Sequence, residues 1–129
     1  MTIAISVDLA NARADGVLTF LNTGGAGKVQ IYDGTRPAYG GSPPNPVLVE
    51  LPLADPAGSV ADGVLTLTAT AETLVAASGT ASWARVRNGA GTIAFDCDVS
   101  DVNGSGEVKL PSTTLFAGGY SRLVSGTLG

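Results

Sequence analysis

The residue types that most often do chemistry are sparse in this chain, and one of them is missing: its 129 residues contain no histidine. Without imidazole there is no Ser-His-Asp or Cys-His catalysis, no His-containing zinc site and no general base of the commonest kind near neutral pH. The single cysteine, Cys97, lies in the alternation Phe95-Cys97-Val99 and reads as a small core hydrophobe. Being alone, it excludes an intramolecular disulfide, and the chain is expected to mature in a reducing compartment. An enzyme built from this set would need unusual chemistry, and the expectation is a non-enzymatic protein without cofactor or metal.

Two motifs approach a ligand site and then depart from it. Asp101-Val102-Asn103-Gly104-Ser105-Gly106-Glu107-Val108 matches the first eight positions of a calcium loop, with oxygen ligands at one, three and five and glycine at six. Position nine is Lys109, position twelve is Ser112 where a bidentate carboxylate belongs, and Pro111 breaks the helix that should follow. A polar turn between strands is the expected reading. Gly24-Gly25-Ala26-Gly27-Lys28 has the flavour of a phosphate loop, but Asn22 stands where the first glycine belongs, Val29 replaces Ser or Thr, and the segment leaves a helix for a strand. Asp96 and Asp98 alternate on a strand and read as a solvated face.

The remaining candidates are recognition residues. Trp83 has Arg85 and Arg87 on its side of a strand, a set that would stack on a sugar or anchor a protein interface; filling the core is the other role open to the sole tryptophan. Arg36 and Tyr39 sit in a proline-rich loop, and Tyr120 follows a Gly-Gly pair. Together Arg36, Tyr39, Trp83, Arg85, Arg87 and Tyr120 form the candidate interface set.

The elements that must position these residues follow from periodicity. Over Ser6–Asn22, Val7, Ala10, Ala14, Val17, Leu18 and Leu21 recur at three- and four-residue spacings, which predicts an amphipathic helix with Ser6 as N-cap and Gly24-Gly25 as its close. The period then changes to two. Strands are expected at Lys28–Asp33, at Val47–Leu53 stopped by Asp55-Pro56, and at Gly63–Thr70, with Thr35–Pro46 an exposed loop. Ala71–Gly79 fits a loop or a short helical turn. Ser82–Arg87 and Thr92–Val99 flank Asn88-Gly89-Ala90-Gly91 and predict a hairpin. A two- or four-residue loop puts Ala84 and Val86 on one face with Ile93, Phe95 and Cys97, leaving Trp83, Arg85 and Arg87 beside Ala94 and Asp96; a three-residue loop reverses this. Short strands at Glu107–Leu110 and Tyr120–Leu128 complete a mainly β chain: an antiparallel sandwich or jelly roll of about seven or more strands, residues 26–129, preceded by a helix and cap, residues 1–25, in one domain.

Composition agrees with a thin aliphatic core, since glycine and alanine number 18 each against three Phe, three Tyr and one Trp. Charged residues make up only 14%, the net charge is -4, and the seven Lys plus Arg are scattered singly. This predicts no nucleic-acid partner. Met1–Ser6 has neither the basic nor the long apolar region of a signal peptide, and no stretch is apolar enough for a membrane span, so no membrane partner is expected.

The order of pieces resembles small tailed-phage virion proteins. The resemblance rests on Asn22-Thr23-Gly24-Gly25 after an Ala-rich helix, Ile31-Tyr32-Asp33-Gly34-Thr35-Arg36-Pro37-Ala38, Val47–Leu53, Gly79-Thr80-Ala81-Ser82-Trp83-Ala84-Arg85-Val86, Ile93-Ala94-Phe95-Asp96 and Ala117-Gly118-Gly119. It implies a jelly-roll-like structural protein of the virion, assembled in the bacterial cytoplasm. The leading role is a capsid decoration or cement protein, homo-oligomeric and bound to the major capsid protein or another virion protein. A head-to-tail or tail structural protein, or a receptor- or carbohydrate-binding domain of a tail fibre, is the alternative. The resemblance assigns no functional residue.

Overall fold

The computed structural model describes residues 4–70 and 72–128. The first three residues of the segment read as lacking a leader, the first of the ambiguous Ala71–Gly79 stretch and the last residue of the chain lie outside these. Helix α1 spans Val7–Leu21, and the strands are β1 Lys28–Asp33, β2 Val49–Ala61, β3 Val64–Ala69, β4 Thr73–Leu74, β5 Gly79–Arg87, β6 Ile93–Asp101, β7 Val108–Leu110, β8 Thr114–Leu115, β9 Tyr120–Ser121 and β10 Ser125–Leu128.

Helix α1 begins as the sequence dictates. The Leu9 amide donates to Ser6 Oγ at 3.1 Å, Asp8 sits at the positive end of the dipole, and Gly24 and Gly25 take positive φ after the last turn. Of its apolar stripe, Ala14 and Leu21 are buried and Val17 and Leu18 pack against the core, while Val7 is exposed.

Seven strands form a ring in the order β1-β2-β3-β10-β7-β6-β5, which closes because β1 also pairs with β5. The result is a mainly β, barrel-like sheet with one N-terminal helix. Alternation places Val29, Ile31, Val49, Leu51, Leu53, Leu65, Leu67, Ala84, Val86, Cys97, Val99, Val108 and Leu110 in one apolar core. Cys97 is therefore a buried core residue, as its alternation predicts. One pairing departs from the expected antiparallel pattern: β6 and β7 run parallel, Val99 opposite Val108.

Three other expectations are corrected. Asp55-Pro56 does not stop the second strand; β2 runs on to Ala61 through an irregularity in which five residue steps, Leu53 to Gly58, oppose two steps of β3, Ala69 to Leu67. Proline, with no N–H to donate, is accommodated where the ladder is interrupted. The Tyr120–Leu128 run is split into β9 and β10, with Leu123 turned into the core between them. In the hairpin, Asn88 N–H bonds Thr92 O, and Asn88 Oδ1 accepts from Ala90 and Thr92 amides at 3.0 and 2.9 Å, which makes a three-residue loop. Such a loop alone reverses the faces, but a bulge between Val86 and Arg87 restores them: Ala84 pairs with Cys97, Val86 with Phe95 and Arg85 with Asp96. Only Ile93 is displaced, opposite Arg87 instead of beside Val86.

Each end of the ring has its own cover. Helix α1 crosses the end formed by the β5–β6 turn and the β2–β3 hairpin: Ala57 N–H donates to Asn22 Oδ1 at 2.9 Å and Gly63 N–H to Asn11 Oδ1 at 2.7 Å. Asn11 and Asn22 are eleven residues apart, three helical turns, so both face the hairpin. Gly63, at φ +78, lies so close to Ala10 that an added Cβ would stand 2.7 Å from the Ala10 methyl. At the opposite end, β4 and β9 form a two-stranded ribbon, with β8 pairing at the start of β5. Val75, Leu115 and Leu123 fill beneath it.

Candidate functional site

Five of the six candidate interface residues come together on the outer face of β1, β5 and β6 and the loop after β1. Two of them are not surface residues. Trp83 is 1% exposed; its ring stacks on Tyr32 with centroids 4.5 Å apart, its Nε1–H donates to Asp33 O at 3.2 Å, and the Arg85 guanidinium lies 5.4 Å from the ring. This resolves the open choice for Trp83 in favour of burial. Arg85 is buried as well, its Nε and Nη2 donating to the two carboxylate oxygens of Asp96 at 2.8 and 3.1 Å. A fork of this kind satisfies both ions away from water. The hydrogen bond to Asp96 holds the Arg85 pKa above its usual value against the opposing effect of burial. Asp96 is thus no part of a solvated face, though Asp98, two residues on, is exposed.

Arg87 is half-buried, donating to Gln30 Oε1 at 2.8 Å and Gly91 O at 2.9 Å; Tyr32 Oη donates weakly to the same glutamine oxygen at 3.4 Å. Desolvation raises the Tyr32 pKa above its usual 10, with Arg87 pulling the other way. Arg36 and Tyr39 remain on the surface. Tyr39, 66% exposed, donates to Ile93 O at 3.3 Å, folding the proline-rich loop back across β6, and Arg36 pairs with Asp98 at 3.4 Å. Between loop and strand is a hollow of about 480 Å³ lined by Arg36, Pro37, Tyr39, Ala94, Phe95 and Asp96.

Tyr120 lies at the other end of the molecule, on the ribbon. It is cross-strand from Leu74, and Phe116 opens the turn, closed by Gly119 N–H to Phe116 O, that leads into β9. Leu74, Phe116 and Tyr120 are 55%, 68% and 68% exposed. Sequence reasoning singled out Tyr120 alone, because two-residue strands carry no periodicity that would have placed Leu74 opposite it.

Burial pushes the Cys97 thiol up to about 12, far from a nucleophile. The calcium-like stretch is a turn in which Asn103 N–H donates to Asp101 Oδ1 at 2.9 Å, Gly106 N–H to Ser100 Oγ at 3.0 Å, and the Lys109 ammonium to Gly104 O. Among the described residues no group of three or more acidic or cysteine side chains converges on a common point. Gly24 to Gly27 packs against the β5–β6 turn, with an added Cβ at Gly24 only 2.7 Å from the Ala90 amide. No helix of the described residues is long and apolar enough to cross a membrane.

The candidate residues left exposed thus lie in two places: an aromatic-apolar ribbon at one end and a charged loop with its hollow along the side. No protein-family model, curated protein or solved structure matches the chain.

Proposed function

We propose that this chain is a non-enzymatic structural protein of a bacteriophage virion, most simply a decoration or cement protein that binds the capsid surface in many copies. The observation that carries the reading is a set of exposed apolar residues at the β4–β9 ribbon, Leu74 and Tyr120 paired across it and Phe116 at the turn that leads into β9. With aromatic side chains of about 150–250 Å² each, these three leave roughly 300–400 Å² of apolar surface open, a patch of the size that the largest apolar patch on a typical monomer has and that is often functional. A stable pairwise interface needs about 800 Å² per partner, so one such contact is weak and a repeated array makes it firm. An acidic chain with scattered basic residues fits a protein partner better than nucleic acid. The jelly-roll kinship implied by the sequence resemblance belongs to the same proposal, as does a head-to-tail or tail position in place of the capsid face.

Mass spectrometry and electron microscopy of purified particles test this. The protein is expected in the virion, with occupancy lost in Leu74→Asp and Tyr120→Ser variants that still fold. Deletion of Ala38–Pro44 is expected to leave the fold intact and reduce occupancy. Particles devoid of the protein would refute the reading. Exposed Tyr39 beside Arg36 favours one second reading, a carbohydrate-binding fibre domain, which takes over if the protein binds a soluble glycan tightly and Tyr39→Ala abolishes that binding.

A further inference from the structure

Strand β6 has a neighbour on only part of its second side. It pairs with β5 from Ile93 to Asp98, but with β7 only from Val99 onward, and among the described residues no strand lies beside Ile93–Cys97 on the β7 side. The Asp98 amide points that way and is covered by a side chain: it donates to Glu107 Oε1 at 3.1 Å, just before β7 begins. Because backbone groups alternate along a strand, the N–H and C=O of Asp96 and the C=O of Ala94 point to the same unpartnered side. β10 follows across the notch, its final residue Leu128 reaching toward the helix.

A hollow opens on each face of this short edge, and Ala94 and Phe95 line both. On the helix side is an apolar groove of about 420 Å³, formed with Val17, Phe20 and Leu128 and with Arg13 at its rim. On the loop side is the hollow of about 480 Å³ with Arg36 and Tyr39. An unpaired backbone edge between two hollows is what an added strand requires, since its successive side chains point to opposite faces.

We propose that this notch is a docking site for an extended segment of a partner protein, which pairs with Ala94 and Asp96 and alternates apolar with acidic side chains. The apolar ones enter the groove beside α1, and the carboxylates meet Arg36. Charge selects this occupant. Arg13 and Arg36 are the cations at the two rims, whereas the Asp96 carboxylate is already neutralised by Arg85 and the Glu107 carboxylate is held on the Asp98 amide at the β7 end of the edge, beyond Ala94 and Asp96. Arg36 has a competing partner in Asp98, but that pair is exposed and a guanidinium has donors to spare. The inference stands apart from the virion reading, and a test on purified protein leaves that reading untouched whichever way it falls.

The probe is a short dye-labelled peptide alternating valine and glutamate, followed by fluorescence anisotropy against the full chain. Binding is expected to weaken about tenfold or more when the amides of alternate residues are N-methylated on the ladder-facing side only. It is expected to weaken about tenfold in Arg36→Glu, a surface change that should leave Tm unchanged, and to be restored there by a valine-lysine peptide. No binding at millimolar peptide overturns the proposal. So does binding indifferent to N-methylation, which excludes strand pairing, or sedimentation showing that a second copy of this chain occupies the edge and excludes the peptide.

Discussion

Arg85 and Asp96 carry opposite charges into a place with almost no water, their side chains 2% and 4% exposed. A buried pair of this kind contributes little beyond what an apolar pair would, but losing one member strands the other. Asp96→Ala is therefore expected to cost about 3–5 kcal/mol in urea denaturation, and Arg85→Met with Asp96→Leu to return most of it. Cys97 gives a second residue-scale expectation, with its sign fixed by burial. Its thiol ionises near 9 in the unfolded chain and near 12 in the fold, so the unfolded state loses its proton first. The stability this contributes is whole below pH 9 and declines between 9 and 12, at up to about 1.4 kcal/mol per pH unit. The raised Tyr32 hydroxyl adds to the decline in the same direction above pH 10. Urea midpoints across that range should fall less steeply in Cys97→Ala than in the natural chain. The absence of histidine was legible in the sequence, being a matter of inventory. That Arg85 and Asp96 share a strand face was expected only for a two- or four-residue loop, and the structure reaches it through a three-residue loop and a bulge; that this face is covered was not legible, because a strand's own alternation does not say what lies over it.

At the scale of elements, helix α1 and strands β1, β3, β5 and β6 stand close to where their periods put them. The misreadings fall where a local signal met a longer-range contact. Asp55-Pro56 is a stop signal for an isolated strand, yet pairing of Gly58–Ala61 with β3 carries β2 past it. A three-residue turn reverses a hairpin unless a bulge reverses it again, and nothing local in Ile93-Ala94 announces that bulge. Nothing local tied Asn11 and Asn22 to their partners, since Gly63 and Ala57 lie 52 and 35 residues away. Each serves as the acceptor for a buried amide at the edge of the β2–β3 hairpin. Replacing either by alanine should leave that donor unpaired and cost about 1–3 kcal/mol, read as a lower urea midpoint. Asp15→Ala, on the exposed face of the same helix, should change little.

For the whole molecule, the feature with the widest reach is the seam at which β1 meets β5. Lys28 lies opposite Arg87 and Asp33 opposite Ala81, so the ring shuts only when these segments, some fifty residues apart, find one another, as β3 and β10 must also do with Thr66 opposite Thr127. Helix α1 and the two hairpins need no such search. The seam therefore sets a pace: the entropy of closing so large a loop is met before the core rewards it, and folding is expected over milliseconds to seconds instead of the microseconds of helical bundles. The Tyr32–Trp83 stack straddles this seam, which makes the sole tryptophan a clock for its closure. In stopped-flow refolding, far-ultraviolet ellipticity from α1 should gain amplitude before tryptophan fluorescence does. Tyr32→Leu should slow the fluorescence phase, whereas Leu74→Ala on the ribbon should leave it alone.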